Sequence, residues 1–382
     1  PGSMKGSKQE ETSENEEQGQ TEQSRQTVAE ENDAEQAKTA GNLEVHFIDV
    51  GQGDATLIKC DGHSMLIDAG NNDKGTLVQN YLQHQGVETL DYVIGTHPDA
   101  DHIGGMDVVL YKFDCKTIIM PDVANNTRTY DDVVQTMKNK GYKTTYPVVG
   151  ETYTIGGAAF TIIAPNKEYG NDMNSWSVGV LLQNGNHRFL FTGDAEEGAE
   201  QDILQNGIDI SADVYKVAHH GSNTATSQAF LDAVHPTYAV ISAGEGNSYG
   251  HPHAEVLNRL RAAGVSVFRT DEQGTIVAAS DGTTLTWNMS PSESWQAGEA
   301  KKSQDTDKSE KSTDSQNNAE TDAAVSNPTD QTDGNSDVIV HITKTGEKYH
   351  SAGCQYLRKS DIEVTLSEAK GLTPCSKCNP PQ

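Results

Sequence analysis

The run Thr-His-Pro-Asp-Ala-Asp-His at residues 96–102 constrains this chain more than any other feature. Four of its side chains can bind a metal ion, namely His97, Asp99, Asp101 and His102. The run follows the apolar residues 90–96, which predict a buried strand. On a loop, the alternate side chains of residues 97, 99 and 101 can point to one side. His102 can join them where the following helix begins. The run therefore predicts a site for two adjacent cations. The alternative, a charged loop whose aspartates cap a helix, leaves both histidines without a role.

Three further apolar strands are predicted to be followed by residues that can also bind a metal ion. Residues 188–192 end in Gly-Asp at Asp194, residues 214–218 lead into His219 and His220, and residues 238–242 lead toward the His-Pro-His at 251–253. Singly, Gly-Asp is more often a turn, and a histidine pair lies more often in a core or on a surface. Because α/β sheets bind ligands at the carboxyl ends of their strands, the repeated placement predicts one common site. An aspartate at such an end can give one oxygen to each of two metals.

The central part of the chain alternates strand and helix patterns. Residues 43–50, 55–60 and 63–70 predict a meander of three strands, with a hairpin turn at Asp61-Gly62. Further strands are predicted at 116–120, 158–163, 178–182, 188–192, 214–218, 238–242 and 265–269, and helices at 76–85, 131–140, 198–205, 228–234 and 254–263. This mixture predicts a layered α/β sandwich.

Composition divides the chain into four segments. Residues 1–42 are polar and acidic, which predicts a disordered tail, and the first three residues resemble a cloning scar. Residues 43–290 are long enough for one large α/β domain. Residues 291–337 are again polar and predict a flexible linker. Residues 338–382 form a small segment that carries cysteine and histidine.

The net charge of −28 limits the partners that we expect. It weighs against tight, nonspecific binding to duplex DNA, but bound divalent cations reverse the local field and allow an anionic substrate. No apolar stretch reaches about 18 residues, so the sequence predicts no membrane-spanning segment. A long polar tail before a folded domain is typical of bacterial surface proteins that have lost a signal peptide or lipoprotein anchor. We therefore expect an extracellular or cell-surface location.

The ordered set of motifs resembles the metallo-β-lactamase-fold domain of the ComEC family of late competence proteins. The motifs are Asp-Val-Gly-Gln-Gly-Asp at 49–54, Leu-Ile-Asp-Ala-Gly at 66–70, residues 97–105, Thr-Gly-Asp at 192–194, His-His-Gly-Ser at 219–222 and Tyr-Gly-His-Pro-His at 249–253. The resemblance covers about residues 43–290. It implies an αββα sandwich with a binuclear metal site at one sheet edge, and a DNA-degrading or phosphodiesterase activity.

The resemblance also implies roles for individual residues. His97 and Asp99 hold one metal, Asp101 and His102 hold the second, and Asp194 bridges the two. Either His219 or His220 completes the second site. We favour His219 because it directly follows the strand, with His220 then facing substrate. Asp68 orients the site from outside the ligand set.

Two positions depart from the wider superfamily. Asp99 stands where most members have histidine, and the histidine that usually precedes the bridging aspartate is replaced by Asn-Ser-Trp-Ser at 174–177. The first site is therefore richer in oxygen and one ligand short. Harder ligands shift the preference from zinc toward manganese. We predict two divalent cations, either zinc or manganese.

These ligands predict a hydrolase. Two cations about 3.5 to 4 Å apart lower the pKa of a water to about 7 and stabilise charge on the attacking and leaving oxygens. Asp101 can accept a hydrogen bond from that water. The site itself could equally hydrolyse esters or thioesters. The resemblance to the ComEC family implies phosphodiester chemistry, and with it we expect a metal-dependent phosphodiesterase or nuclease that acts on extracellular DNA. The alternatives are an esterase of a small phosphodiester or lactone, and a noncatalytic surface binding protein.

Further residues are predicted to contact substrate. His251 or His253 can protonate the leaving oxygen or bind the phosphate, although one of them can instead pack beneath the following helix. Ser222 and Asn174 are predicted to bind substrate, and Ser222 is equally explained as a helix cap.

The last segment has the spacing of a structural zinc site, with ligands His350, Cys354, Cys375 and Cys378. A segment of about 45 residues needs a bound metal or a similar cross-link to be stable. The alternative is that its cysteines form disulfides or remain free thiols. The pattern resembles the small metal-binding domain of the Ada DNA-repair protein, although His350 replaces a cysteine, which argues against alkyl-acceptor chemistry. Six basic against four acidic residues suit a nucleic-acid tether, with a wall or protein adaptor as the alternative.

Overall fold

A computed structural model describes residues 1–2, 40–298, 339–342, 348–350, 362–365 and 373–375 of the chain. The chain divides into two units, Pro1–Thr306 and Asp307–Gln382. Most of the predicted tail and linker lies outside the described residues. Among the described residues, no helix has both the length and the apolar character that crossing a membrane requires.

Within residues 40–298, eight strands form a first sheet in the order β15-β14-β1-β2-β3-β4-β5-β6. They are β1 (Leu43–Phe47), β2 (Thr56–Cys60), β3 (His63–Ile67), β4 (Thr89–Ile94), β5 (Asp114–Ile119), β6 (Thr144–Thr145), β14 (Ile276–Ser280) and β15 (Leu285–Trp287). Strands β1 to β3 are antiparallel neighbours, which confirms the predicted meander. The hairpin between β2 and β3 turns at Asp61 and Gly62, both with positive φ, as a tight two-residue hairpin turn requires.

Seven strands of the same unit form a second sheet in the order β13-β12-β11-β10-β9-β8-β7. They are β7 (Thr152–Ile155), β8 (Ala158–Ala164), β9 (Gly179–Asn184), β10 (His187–Phe191), β11 (Val214–Lys216), β12 (Tyr238–Ile241) and β13 (Ser266–Arg269). Strands β10 to β13 are parallel. Their carboxyl ends therefore lie along one edge of the sheet.

Helices cover the outer face of each sheet. In chain order they are α1 (Gly75–His84), α2 (Ala100–Ile103), α3 (Met106–Lys112), α4 (Arg128–Lys140), α5 (Glu197–Gln205), α6 (Gln228–Val234), α7 (Ala254–Ala262) and α8 (Thr270–Gln273). Buried side chains of α1, α3 and α4 pack with the first sheet, and those of α5, α6 and α7 with the second.

A third apolar core fills the space between the two sheets, and it includes Phe47 of β1 stacked on Phe191 of β10 with ring centroids 6.2 Å apart. Burial of such aromatic surface is a main source of stability. Three cores separated by two sheets make an αββα sandwich, as predicted.

In the second unit, β16 (Ile339–Ile342), β17 (Lys348–His350), β18 (Ile362–Thr365) and β19 (Thr373–Pro374) form a small sheet in the order β18-β16-β17-β19.

Candidate metal centre

The predicted metal-binding run lies at the carboxyl end of β4, where the chain leaves the sheet and enters the short helix α2. His97 and His102 are fully buried. The side chain of Asp99 is 37% exposed, and its carboxylate lies 3.8 Å from Nε2 of His97. The run therefore presents buried imidazoles together with a carboxylate that solvent can reach.

Asp194 follows β10 and stands between the other predicted ligands. One carboxylate oxygen, Oδ1, lies 3.2 Å from Nε2 of His102, whereas Oδ2 lies 3.4 Å from Nε2 of His220. Candidate ligand atoms of His97, His102 and Asp194 all lie within 4.8 Å of one another, and so do those of Asp101, His102 and His220. Asp194 thus contacts members of both groups, which overlap because they share His102.

Four buried polar atoms of the cluster lie close together but form no well-oriented hydrogen bond. They are Nε2 of His97, Nε2 of His102, Nε2 of His220 and Oδ1 of Asp194. Leaving such a group unpaired in a protein interior costs about 1 to 3 kcal/mol. A pair of divalent cations would satisfy all four atoms, so the residues present fit the metals that the sequence predicted.

Charge around the cluster shifts the pKa of each ligand. Burial and the neighbouring His102 lower the pKa of His97 to about 3. Although burial disfavours its charged form, the His220 imidazole and the His102 charge lower the pKa of Asp101 to about 2. Burial alone would also lower the pKa of His102, but the carboxylates of Asp194 and Asp68 raise it well above its ordinary value. The cluster is therefore anionic enough to hold a cation, or protons in its place.

Asp68, which the sequence predicts to orient the site from outside the ligand set, is buried next to His102. Its carboxylate accepts hydrogen bonds from the backbone N–H and the hydroxyl of Thr96, at 2.8 and 2.7 Å. It also lies 2.8 Å from Nδ1 of His102. This contact directs Nε2 of His102 into the cluster, in the manner of carboxylates that orient metal-binding histidines.

The structure places His219 and His220 the other way round from the sequence expectation. His220 is buried in the cluster, with Nε2 3.3 Å from Asp101 and 3.4 Å from Asp194. His219 lies nearer the surface, with Nδ1 3.0 Å from the Thr224 hydroxyl and Nε2 3.7 Å from Asp194. Both histidines have left-handed backbone conformations, with φ of 49° and 55°. This turn brings the second side chain, rather than the first, into the centre.

Asp54 and Lys216 are parts of the centre that the sequence did not single out. The Lys216 ammonium donates to Oδ2 of Asp54 at 2.9 Å, and both side chains are buried. The other oxygen of Asp54 lies 3.4 Å from Nδ1 of His220, which also contacts the Ser242 carbonyl at 3.0 Å. The ion pair therefore contacts His220 at Nδ1, the ring nitrogen that faces away from Asp101 and Asp194. In the sequence, the signal for this part of the centre was a lysine inside the otherwise apolar strand β11.

Ser177 ends the segment 174–177, where the sequence lacks the expected histidine before the bridging aspartate. Its hydroxyl lies 3.3 Å from Nδ1 of His97 and accepts a hydrogen bond from the backbone N–H of Asp194 at 3.0 Å. The residue supports two ligands instead of acting as one.

The predicted substrate-contacting residues lie around the centre in different environments. His251 is buried, its Nδ1 has no partner among the described residues, and burial lowers its pKa to about 3. His253 accepts from the backbone N–H of Asn223, and its other nitrogen lies 3.3 Å from the Tyr249 carbonyl. Both nitrogens of His253 are therefore engaged by the backbone of loops.

Ser222 and Asn174 make local contacts. The Ser222 hydroxyl is buried beside that of Thr224 at 3.0 Å. The Asn174 amide donates to Oε1 of Glu196 at 3.2 Å, and the same oxygen lies 3.3 Å from Nδ1 of His219. Asn174 is thus linked to the rim of the centre through Glu196, a residue that the sequence did not indicate.

Only part of the predicted zinc site in the second unit falls on described residues. His350 and Cys375 are buried, and the backbone N–H of Cys375 donates to the carbonyl of Tyr349 at 2.9 Å. Cys354 and Cys378 lie outside the described residues. The zinc site stays a prediction.

Comparison with known proteins agrees with this arrangement. A family model described as the metallo-beta-lactamase superfamily matches residues 48–245. The chain is similar to ComE operon protein 3 of Bacillus subtilis, with 31% identity over 61% of this chain and 32% of that protein. It is similar to Recombination protein 2 of Haemophilus influenzae, with 33% identity over 61% of this chain and 28% of that protein.

It is also similar to Competence protein ComA of Neisseria gonorrhoeae, with 29% identity over 60% of this chain and 31% of that protein. These homologues confirm the resemblance to the ComEC family. The chain spans about a third of the length of the curated relatives that it matches.

Proposed function

Because this chain belongs to the metallo-β-lactamase superfamily, whose members are generally metal-dependent hydrolases, we propose that it is a metal-dependent phosphodiesterase that cleaves DNA. One observation carries the proposal, namely the convergence of four buried ligand atoms that form no well-oriented hydrogen bond. Relatives named Recombination protein 2 and Competence protein ComA suggest an involvement with DNA, which supports DNA as the proposed substrate. We further propose an extracellular or cell-surface location, where free DNA is available.

The ligands divide between two cations. His97 and Asp99 would hold one, and Asp101, His102 and His220 the other, with Asp194 shared. When bound, such cations lower the pKa of water and neutralise charge that develops on phosphate oxygens. Manganese or zinc fits the mixed oxygen and nitrogen ligands.

The accessible side of the centre is where we place the scissile phosphate. The side chains of Asp99 and Asp101 are 37% and 29% exposed, whereas that of Asp194 is 4% exposed. Solvent and substrate therefore reach the centre from the side of the first two carboxylates. Asp101 would accept a hydrogen bond from the attacking water and orient it toward phosphorus. Buried His102 and His220 exclude bulk water from the opposite side.

The proposal is tested by incubating the purified chain with end-labelled single-stranded and duplex DNA, with Mn²⁺, Zn²⁺ or EDTA. We expect cleavage that requires a cation and is lost in Asp101→Ala. As a matched control, Asp132→Ala removes an exposed carboxylate of α4 and should cleave like wild type. No cleavage by the wild type, or equal cleavage by Asp101→Ala, would refute the proposal.

The same assay identifies the alternatives. Hydrolysis of a small ester or lactone without DNA cleavage would indicate a metallo-esterase. DNA binding without any hydrolysis would indicate a noncatalytic binding protein.

A further inference from the structure

Tyr249 is an exposed aromatic residue in the loop that follows β12. The residue is 64% exposed. The buried Asn247 holds this loop, since its Oδ1 accepts from the backbone N–H groups of Tyr249 and His251 at 3.1 and 3.0 Å. The amide of Asn247 also donates to the carbonyl of His251 at 2.6 Å. A fixed backbone therefore presents the Tyr249 ring to solvent.

The ring is the outermost member of a series that begins at the metal centre. His220 and His251 have ring centroids 6.1 Å apart and planes 27° apart, and His251 and Tyr249 have centroids 5.5 Å apart and planes 18° apart. These spacings and angles are those of offset stacking. Exposure increases along the series from 1% to 5% to 64%. The outer face of Tyr249 is thus the place where another flat ring would continue the stack.

From this geometry we propose that Tyr249 is the stacking platform for a nucleobase of single-stranded nucleic acid whose phosphate lies at the metal centre. The inference rests on the proposed function and specifies its substrate class. A base within a duplex is already covered on both faces by its neighbours, whereas an unpaired base can stack on an aromatic side chain. The platform therefore favours a single strand.

The charge of the chain points to the same binding mode. Residues 43–290 contain 31 acidic and 14 basic side chains. Few cationic side chains are available to contact phosphates, so the counterion-release contribution to affinity is small. Stacking does not depend on charge, and it is tolerant of base identity. We expect binding that discriminates little among sequences and weakens only slightly with added salt.

The test compares two fluorescent oligonucleotides of equal length, one of thymidine nucleotides and one of abasic nucleotides. Both have the same phosphates, but only the first can stack. Dissociation constants are measured by fluorescence anisotropy on the full chain in EDTA, so that binding does not depend on cleavage. Tyr249→Leu should weaken binding of the thymidine oligonucleotide about tenfold or more. It should leave binding of the abasic one unchanged, and Tyr249→Phe should bind like wild type.

The matched control is Tyr111→Leu, which removes a tyrosine of α3 that is 65% exposed. It should not change either dissociation constant. Equal affinity of Tyr249→Leu and wild type for the thymidine oligonucleotide would overturn the platform, as would an equal loss for both oligonucleotides. Absence of DNA cleavage with an intact Tyr249-dependent preference for bases would instead refute the phosphodiesterase and leave the platform standing.

Discussion

Asp68 determines the orientation of His102 through contacts on one side of the imidazole. The backbone φ of Asp68 is 58°, a conformation that asparagine also tolerates. Asp68→Asn should therefore keep the fold but lose the charge that holds Nδ1 of His102. We expect Mn²⁺ affinity to fall about 10- to 100-fold by calorimetry.

A surface pair provides the control for that substitution. Asp91 lies 3.1 Å from Nδ1 of His63, whose side chain is 50% exposed. Asp91→Asn should bind Mn²⁺ like wild type. Wild-type affinity in Asp68→Asn would show that this carboxylate does not orient the ligand.

The buried Lys216–Asp54 pair predicts strong coupling between two substitutions. Lys216→Met leaves a buried carboxylate without its partner, and Asp54→Asn leaves a buried ammonium. Each should lower the free energy of unfolding by about 3 to 5 kcal/mol. The double variant removes both charges and should recover much of that loss, which urea denaturation of the four proteins measures. Additive losses would contradict the pairing.

The pKa values of His102 and His220 predict how pH affects the metal-free protein. Burial lowers both pKa values, but the neighbouring carboxylates raise them by a larger amount. Each pKa is therefore well above 6.5. Stability from these imidazolium–carboxylate pairs is therefore complete below pH 6.5 and is lost as pH rises through the raised pKa values. In EDTA, the melting temperature should fall from pH 6.5 to about 9.

Added Mn²⁺ should raise the melting temperature more at high pH than at low pH, because cation and protons compete for the same ligands. A melting temperature in EDTA that is constant or rises over this range would contradict the assignment of these charges.

At the scale of elements, the turn between β1 and β2 holds the metal-binding loop. The backbone N–H of Asp54 donates to the Asp101 carbonyl at 3.0 Å, and Gly70 donates to the Asp54 carbonyl at 2.8 Å. A Cβ on Gly53 would lie 2.4 Å from the Asp101 carbonyl oxygen, and its φ is +140°. Only glycine allows this approach.

Gly53→Ala should therefore destabilise the protein through two effects. The positive φ costs about 1 to 3 kcal/mol for a residue other than glycine, and the overlap with Asp101 adds about 1 to 3 kcal/mol. Gly62→Ala is the control, because its φ is +85° but no atom lies within 4 Å of the added Cβ. Gly62→Ala should show only the first effect and bind Mn²⁺ normally. Equal losses of stability and metal affinity in the two variants would contradict the contact.

The elements that the sequence predicted are those with strong local patterns. Helix α6 matches its predicted bounds, and the predicted strand at 238–242 is observed as β12. Strands β6, β7, β14 and β15 were not predicted. Strand β14 forms because β1 pairs with it across more than 200 residues of sequence, and a local pattern does not contain such a partner.

At the scale of the molecule, both sheets contribute to one centre. The first sheet supplies Asp68 and the run after β4, and the second supplies Asp194 and His220. Strand-end placement predicted this convergence. The choice between His219 and His220 depended on two left-handed residues, which no sequence pattern indicated. Lys216 inside the apolar strand β11 indicated a buried charge, but its partner Asp54 lies on a distant segment that a local pattern does not identify.

The number of cations at the centre tests this account most directly. Calorimetric titration of the metal-free full chain with Mn²⁺ counts the bound ions, and Asp194→Asn keeps the shape of the side chain while removing its charge. The account predicts that wild type binds two Mn²⁺ ions at the centre, and that the variant loses at least one of them along with DNA cleavage. Equal stoichiometry and equal cleavage in the two proteins would contradict a centre bridged by Asp194.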